Sequence, residues 1–275
     1  MKMFHARVSE YIGTDPDYEG LFGALDSITV RYQSNVNKFP DFPKMTFIHA
    51  DGSVEFNADL QEKKLQGISS ENKKMIEKVF TKEKKFDVIS SQFAIHYLFD
   101  STTSIEHLIS NIKNYLKQDG YIICTLFDAK QVMNLFAGKD LFTSWYTDDN
   151  GQRNKFFEII KKFEGDFKDE PGMSIDVHMS WLNSEDKYIT EYLISPKLMI
   201  KTMEKAGCVL VDTDLFVNTY NINREWFTEV IEHEENPKNK KFYKNVAQFY
   251  GDLKGSDKES RIWNDLYRFY VFKKL

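Results

Sequence analysis

Residues 86–101 read FDVISSQFAIHYLFDS. Phe86 to Ser91 has the composition of a strand, and it delivers Gln92, Phe93, His96 and Tyr97 just past its C-terminal end. In open α/β sheets ligands bind outside the carboxyl ends of the strands. Aromatic rings there stack on a base, and a His or Tyr hydrogen-bonds its edge. A lone His is more often structural. Polar and aromatic groups crowded behind one strand point towards a site instead.

The chain on either side fits that sheet. Upstream, Glu10 to Thr14 is a strand ending at Asp15-Pro16-Asp17, and Met45 to Ala50 is a second, ending at Asp51-Gly52. A helix follows from Ser70 to Phe80. Downstream, Thr103 and Glu106 have the spacing of a capping box. Ile105, Leu108, Ile109, Ile112 and Leu116 then share one helical face. Asp119-Gly120 ends the connection into an apolar strand, Tyr121 to Leu126, expected to be buried on both faces. Asp128 caps a short helix through Leu135.

Residues 140 to 190 change character. Ile175, Val177, Met179 and Trp181 point one way if extended. An insertion packed on the edge or mouth of the sheet is expected, with a flexible lid as the alternative. Ser195-Pro196 opens a helix that Gly207 closes. Val209 to Phe216 and Leu266 to Phe272 form a last strand pair, around a helical, polar stretch from 222 to 262. Strands alternating with amphipathic helices predict one α/β domain over residues 1–275.

Composition narrows the function. The 275 residues are 41% hydrophobic and 29% charged, with 23 Phe and 14 Tyr, enough for a substantial core. No apolar run approaches the length of a membrane span, so no membrane partner is expected. A net charge of −5 argues against a surface built for long nucleic-acid tracts, and leaves room for recognition of a single nucleotide. The lysine clusters at 82, 84 and 85 and at 238, 240 and 241 read as solvated surface. Cys124 and Cys208 read as buried free thiols in a reducing compartment. No metal-ligand motif, Walker loop or nucleophile elbow occurs.

Three residues beside Gln92 carry further candidate chemistry. Asp15, at a strand end, suits the two hydroxyls of a ribose, or else is a turn Asp before Pro. Asp51 suits an adenine edge, or else is a common Asp-Gly turn. Gln92 stands in the strand-end cluster. Glu191, in YITEYLIS, needs a partner if buried. Guanine offers one in its N1–H and exocyclic amine; an exposed strand position is the plainer reading.

Together the segments IGTDPD, FIHADGS, FDVISSQFAIHYLFDS, GYIICTLFD, YITEYLISP and YRFYVFKK resemble, in order and spacing, the messenger-RNA cap guanine-N7 methyltransferases. The likeness leans towards the methyltransferase domain of capping enzymes from poxvirus-like large DNA viruses. It implies a Rossmann-like class I fold with a mostly parallel sheet and an antiparallel last strand. It implies S-adenosylmethionine as cofactor and the capped 5′ end of mRNA as substrate. Asp15, Asp51, Gln92, Phe93 and Tyr97 would line the cofactor pocket. His96, Tyr97, Glu191 and Tyr267 would line the cap pocket, with residues 140–190 beside it. His96, Tyr97 and Glu191 would frame the reaction, with no metal.

Two departures accompany the resemblance. Phe127 stands where cellular members often carry Pro. The family's first strand and glycine-rich loop have no counterpart, so a fragment with a missing central strand and weak cofactor binding is expected. Upstream triphosphatase and guanylyltransferase domains, or a stimulatory subunit, are expected partners. The expected location is the cytoplasm for a viral protein and the nucleus for a cellular one. The rival readings are an inactive methyltransferase-like subunit, a ribose-hydroxyl methyltransferase and an interaction module.

Overall fold

The computed structural model describes residues 6–148, 150–184, 187–250 and 257–275. The chain divides into two compact units, residues 1–86 with 103–116, and residues 87–102 with 117–275.

The first unit is built on a parallel pair. β1 (Glu10–Asp15) and β2 (Lys44–His49) run in register from Glu10 opposite Lys44 to Asp15 opposite His49. Pro16 lacks a ladder donor and follows β1 directly. Helices α1 (Tyr18–Phe22), α2 (Ile28–Lys38), α3 (Ala58–Lys64) and α4 (Ser70–Val79) follow their strands. Ser27, Asn57 and Ser69 cap the last three by accepting backbone N–H bonds in their first turns. Ile48, Ala50, Ala58, Ile68 and Ile76 form the core.

The second unit opens with β3 (Phe86–Gln92), at the edge of a four-stranded sheet that continues with β4 (Leu116–Phe127), β10 (Tyr267–Lys274) and β9 (Cys208–Leu215) in that order. The strands expected to flank a missing central strand, β1 and β3, belong to different sheets. A 3-10 turn (Ile95–Phe99) leads into α5 (Thr102–Tyr115), most of which belongs to the first unit. α5 already includes Thr103, so the expected capping box is not an N-terminus. β4 (Leu116–Phe127) follows at once. The Asp119-Gly120 break expected before it lies inside the strand, where Asp119 has φ of +61°. Tyr121 and Ile123 are each more than a third exposed, so only the end of this apolar strand is buried on both faces.

α6 (Ala129–Phe136) begins at its cap Asp128, whose carboxylate accepts the Gln131 N–H. Residues 140–190 contain an antiparallel sheet of β5 (Leu141–Thr147), β6 (Arg153–Lys161), β7 (Ser174–Met179) and β8 (Ile189–Tyr192). Phe157, Ile159, Ile175, Val177 and Met179 pack with Phe127, Val132, Phe136 and Tyr267 in one core. Trp181 does not continue this stripe. The chain turns at Met179, whose carbonyl accepts from Leu182 and Asn183, and Trp181 is half exposed beyond the strand.

α7 (Pro196–Lys205) starts at its Ser195 cap, and Gly207 follows it at φ of +81°, a conformation glycine adopts without penalty. β9 (Cys208–Leu215) leads to α8 (Phe216–Ile222), α9 (Arg224–His233), α10 (Pro237–Tyr250) and α11 (Asp257–Asn264). β10 (Tyr267–Lys274) then returns antiparallel between β4 and β9. Both cysteines are buried and free. No helix among the described residues is long and apolar enough to cross a membrane.

Candidate active site

The turn after β3 decides the geometry of the second unit. Phe93 leaves the strand at φ of +55°, which is strained for a bulky residue. Its N–H is held by both the carbonyl and the hydroxyl of Thr125, at 2.9 and 3.1 Å. Ile95 and Phe99 bury themselves on either side of His96 and Tyr97 and anchor the turn.

His96 is 3% exposed and Glu191 6% exposed, and His96 Nε2 lies 3.2 Å from Glu191 Oε2. This close pair is not a well-formed hydrogen bond, since neither ring nitrogen of His96 has an aligned partner among the described residues. Burial pushes the Glu191 carboxyl up to about 8 and the His96 imidazole down to about 3, so each group favours its neutral form. The Tyr97 hydroxyl bonds Glu191, and its ring packs 4.2 Å from His96. Burial, then the Glu191 carboxylate, raises the pKa of Tyr97 and of Tyr267.

Aromatic rings complete the wall. Phe93 meets Tyr267 edge-on at 4.8 Å, and Phe127 stacks on Tyr267 at 4.6 Å. Trp263 and Phe216 support Tyr267 from 5.9 and 5.8 Å. Phe93 and Tyr97 remain partly open to solvent, 46% and 36% exposed. The result is a buried acid and an unpartnered imidazole beside accessible rings, which suits a flat base with hydrogen-bond donors on one edge.

The other candidates stand elsewhere. Asp15 and Asp51 follow neighbouring strands of the first unit, β1 and β2. Asp15 Oδ1 accepts the Asp17 N–H at 2.8 Å, and Oδ2 has no protein donor among the described residues. Asp51 Oδ1 accepts the Ser53 N–H, and Lys64 lies 3.7 Å from Oδ2. Gln92 is exposed and donates to Ser90 Oγ and the Ile123 carbonyl. The structure thus joins His96, Tyr97, Glu191, Tyr267 and Phe93 around one centre, and sets Asp15 and Asp51 after neighbouring strands of the first unit.

Sequence reading missed what holds the Asp51 loop. Asn72 brackets His49, accepting its N–H and donating to its carbonyl. Fully buried Gln61 accepts the Asp51 N–H at 2.8 Å and donates to the carbonyls of Asp51 and Glu55. Asn111 accepts from Phe56 N–H and donates to the Val54 carbonyl. Three amides on helices thereby take the place of a strand neighbour for residues 49–56. Amides on helices carry no signal of this in one dimension.

Fold and site define an α/β domain whose strand ends gather acidic and aromatic side chains. More particularly, the chain belongs to the mRNA (guanine-N(7))-methyltransferase domain family, whose model matches residues 1–275. It is 35% identical to a probable mRNA-capping enzyme of Acanthamoeba polyphaga mimivirus over 100% of this chain and 24% of that protein. An mRNA-capping enzyme of African swine fever virus (strain Badajoz 1971 Vero-adapted) is 26% identical over 76% of this chain and 22% of its own length. The mRNA cap guanine-N(7) methyltransferase of Candida albicans is 24% identical over 78% of this chain and 44% of its own. The chain therefore spans about a quarter of the length of the viral relatives.

The strand ends of the first unit have the chemistry to suit the nucleoside end of S-adenosylmethionine, the cofactor that the sequence resemblance implies. A free carboxylate oxygen at the end of β1 matches a vicinal diol, and a rigidly held backbone loop with a carboxylate at the end of β2 matches an adenine edge.

Proposed function

We propose that this domain methylates N7 of the guanine that caps the 5′ end of mRNA, with S-adenosylmethionine as methyl donor. The observation that carries the reading is the buried Glu191 carboxyl beside an unpartnered His96 within an aromatic wall. A carboxylate matches the paired donors N1–H and exocyclic amine of guanine, and those donors would compensate its burial.

Bound S-adenosylmethionine supplies an already activated methyl group. Guanine N7 is nucleophilic without losing a proton, so no side chain need act as a base. The work left to the chain is alignment, which supplies several kcal/mol of barrier reduction. Glu191 fixes the base edge, Phe93, Tyr97 and Tyr267 enclose its faces, and His96 frames the approach. Asp15 and Asp51 hold the nucleoside of the cofactor. Water is kept from the buried carboxyl by the rings around it.

The natural partners of such a domain are the triphosphatase and guanylyltransferase activities that make the cap, as further domains or as a separate subunit. The viral relatives, named as capping enzymes and some four times longer, support that reading. The cytoplasm is the proposed compartment, in keeping with two free thiols.

Incubation with methyl-labelled S-adenosylmethionine and GpppG tests the proposal. Label on guanine N7 is expected. Binding of both compounds without transfer would support the inactive-subunit reading in its place.

A further inference from the structure

Besides the turn after β3, the cap pocket proposed above draws on three chain segments far apart in sequence: the end of β4, the end of β8 and the start of β10. All three meet at Asp128. This residue is 2% exposed, and every polar group it offers is engaged. Its Oδ1 caps α6 through the Gln131 N–H at 3.0 Å, and its Oδ2 accepts Arg268 Nε at 2.6 Å. Its backbone N–H donates to the Leu266 carbonyl at 2.7 Å, and it forms a parallel bridge with Ile194.

The neighbours of these contacts are pocket residues. Phe127 precedes Asp128 and Tyr267 precedes Arg268; the two are register partners, and their rings stack. Ile194 lies three residues after Glu191, and Leu193 between them is fixed by its N–H bond to the Met173 carbonyl. Arg268 is tied in turn to β9, its Nη1 lying 3.4 Å from Thr213 Oγ1, while Thr213 donates to the Phe269 carbonyl at 2.7 Å.

Helix capping alone does not call for this arrangement. Asn or Ser caps a helix as well as Asp, and neither would pair with a guanidinium at a largely buried position. Taking a carboxylate out of water is costly unless it is paired. Its retention at the one point shared by all three segments needs a use beyond the cap.

We propose that Asp128 and Arg268 are positioning residues for cap recognition: their ion pair fixes the Phe127–Tyr267 wall, and the backbone bridge from Asp128 to Ile194 sets the Glu191 strand against it. This rests on the cap-binding reading, and its test separates the two. Asp128→Asn keeps the acceptor that caps α6 but sets an amide N–H against the Arg268 donor. In wild-type protein and in this variant, KM for GpppG, KM for S-adenosylmethionine and kcat are measured at one pH. The variant is expected to raise KM for GpppG about tenfold, the scale on which small misplacements act, and to leave KM for S-adenosylmethionine unchanged. The double variant Asp128→Asn/Arg268→Gln, which restores a complementary neutral pair, should recover most of the loss.

Equal rises in both KM values, or a double variant no better than the single one, would mean that the pair serves folding alone and overturn the proposal. A GpppG affinity in Asp128→Asn equal to that of wild type would overturn it also. Should Asp128→Asn fail to fold, Arg268→Lys carries the same comparison with the charge kept and the Nε donor lost. Failure of wild-type protein to bind GpppG at all would refute the cap reading itself, a different result from any of these.

Discussion

The two units prepare strand ends for ligands in opposite ways. After β2, residues 49–56 are held by Asn72, Gln61 and Asn111, neutral groups whose hydrogen bonds are all made within the protein. The carboxylates there, Asp15 and Asp51, face at least partly into water. After β3, the reverse holds. Glu191 and His96 are ionisable and buried; His96 has no aligned partner among the described residues, and Glu191 has the Tyr97 hydroxyl. Satisfied amides make a rigid frame whose worth is fully present without ligand. An acid buried with one hydroxyl partner is a cost in the free protein that a ligand with matching donors relieves. The first unit therefore spends stability on shape, and the second holds a binding potential that is realised only with a base in place.

The largest expected effect falls on the second region. Glu191→Ala removes two charge-assisted hydrogen bonds, each of about 1.5–3 kcal/mol. Cap methylation should fall at least a hundredfold in kcat/KM while equilibrium binding of S-adenosylmethionine is kept. Because the free protein bears the cost of the buried acid, thermal unfolding at pH 9 should show this variant no less stable than wild type.

Gln61→Ala sharpens the contrast from the other side. It strands three backbone groups of a buried loop, which should cost about 2–4 kcal/mol of folding stability by the usual penalty for unsatisfied groups. Denaturant unfolding measures this. Cofactor affinity should weaken and GpppG affinity should not, in a protein kept below its shifted midpoint. A loss confined to GpppG would reverse the assignment of the two regions.

The smallest effect is a pH dependence. With the Glu191 carboxyl pushed up to about 8 by burial, only about a tenth of it is ionised at pH 7, so GpppG should bind about tenfold tighter at pH 9. Glu191→Gln should abolish that rise. Folding responds in the opposite direction. A carboxyl whose folded value lies above its unfolded one contributes stability that is whole below about 4.5 and lost as pH climbs to about 8. His96, lowered from 6.5 to about 3, contributes stability present above 6.5 and lost as pH falls towards 3.

Much of this was legible in one dimension. The strand ends at Asp15, Asp51 and Gln92, the Ser195-Pro196 helix start and the Gly207 stop follow from local pattern and turn chemistry. Thr103 misled because an S/T-x-x-E spacing is local, whereas α5 starts one residue earlier. Trp181 misled because alternation persists in sequence past the turn that ends β7. The pairing of Glu191 with His96, the Asp128–Arg268 ion pair and the amides around the Asp51 loop join residues from 6 to 140 positions apart. No periodicity encodes such contacts. Local sequence allows Glu191 an exposed strand position; its burial comes from contacts distant in the chain.

The most direct test is equilibrium binding of GpppG against its inosine counterpart, which lacks only the exocyclic amine, to wild-type protein and to Glu191→Gln at pH 9. A carboxylate that reads the N1–H and amine pair predicts about tenfold or greater preference for guanine in wild-type protein, the worth of one charge-assisted hydrogen bond, and a reduced preference in the variant. Equal affinity of wild-type protein for the two analogues would contradict it.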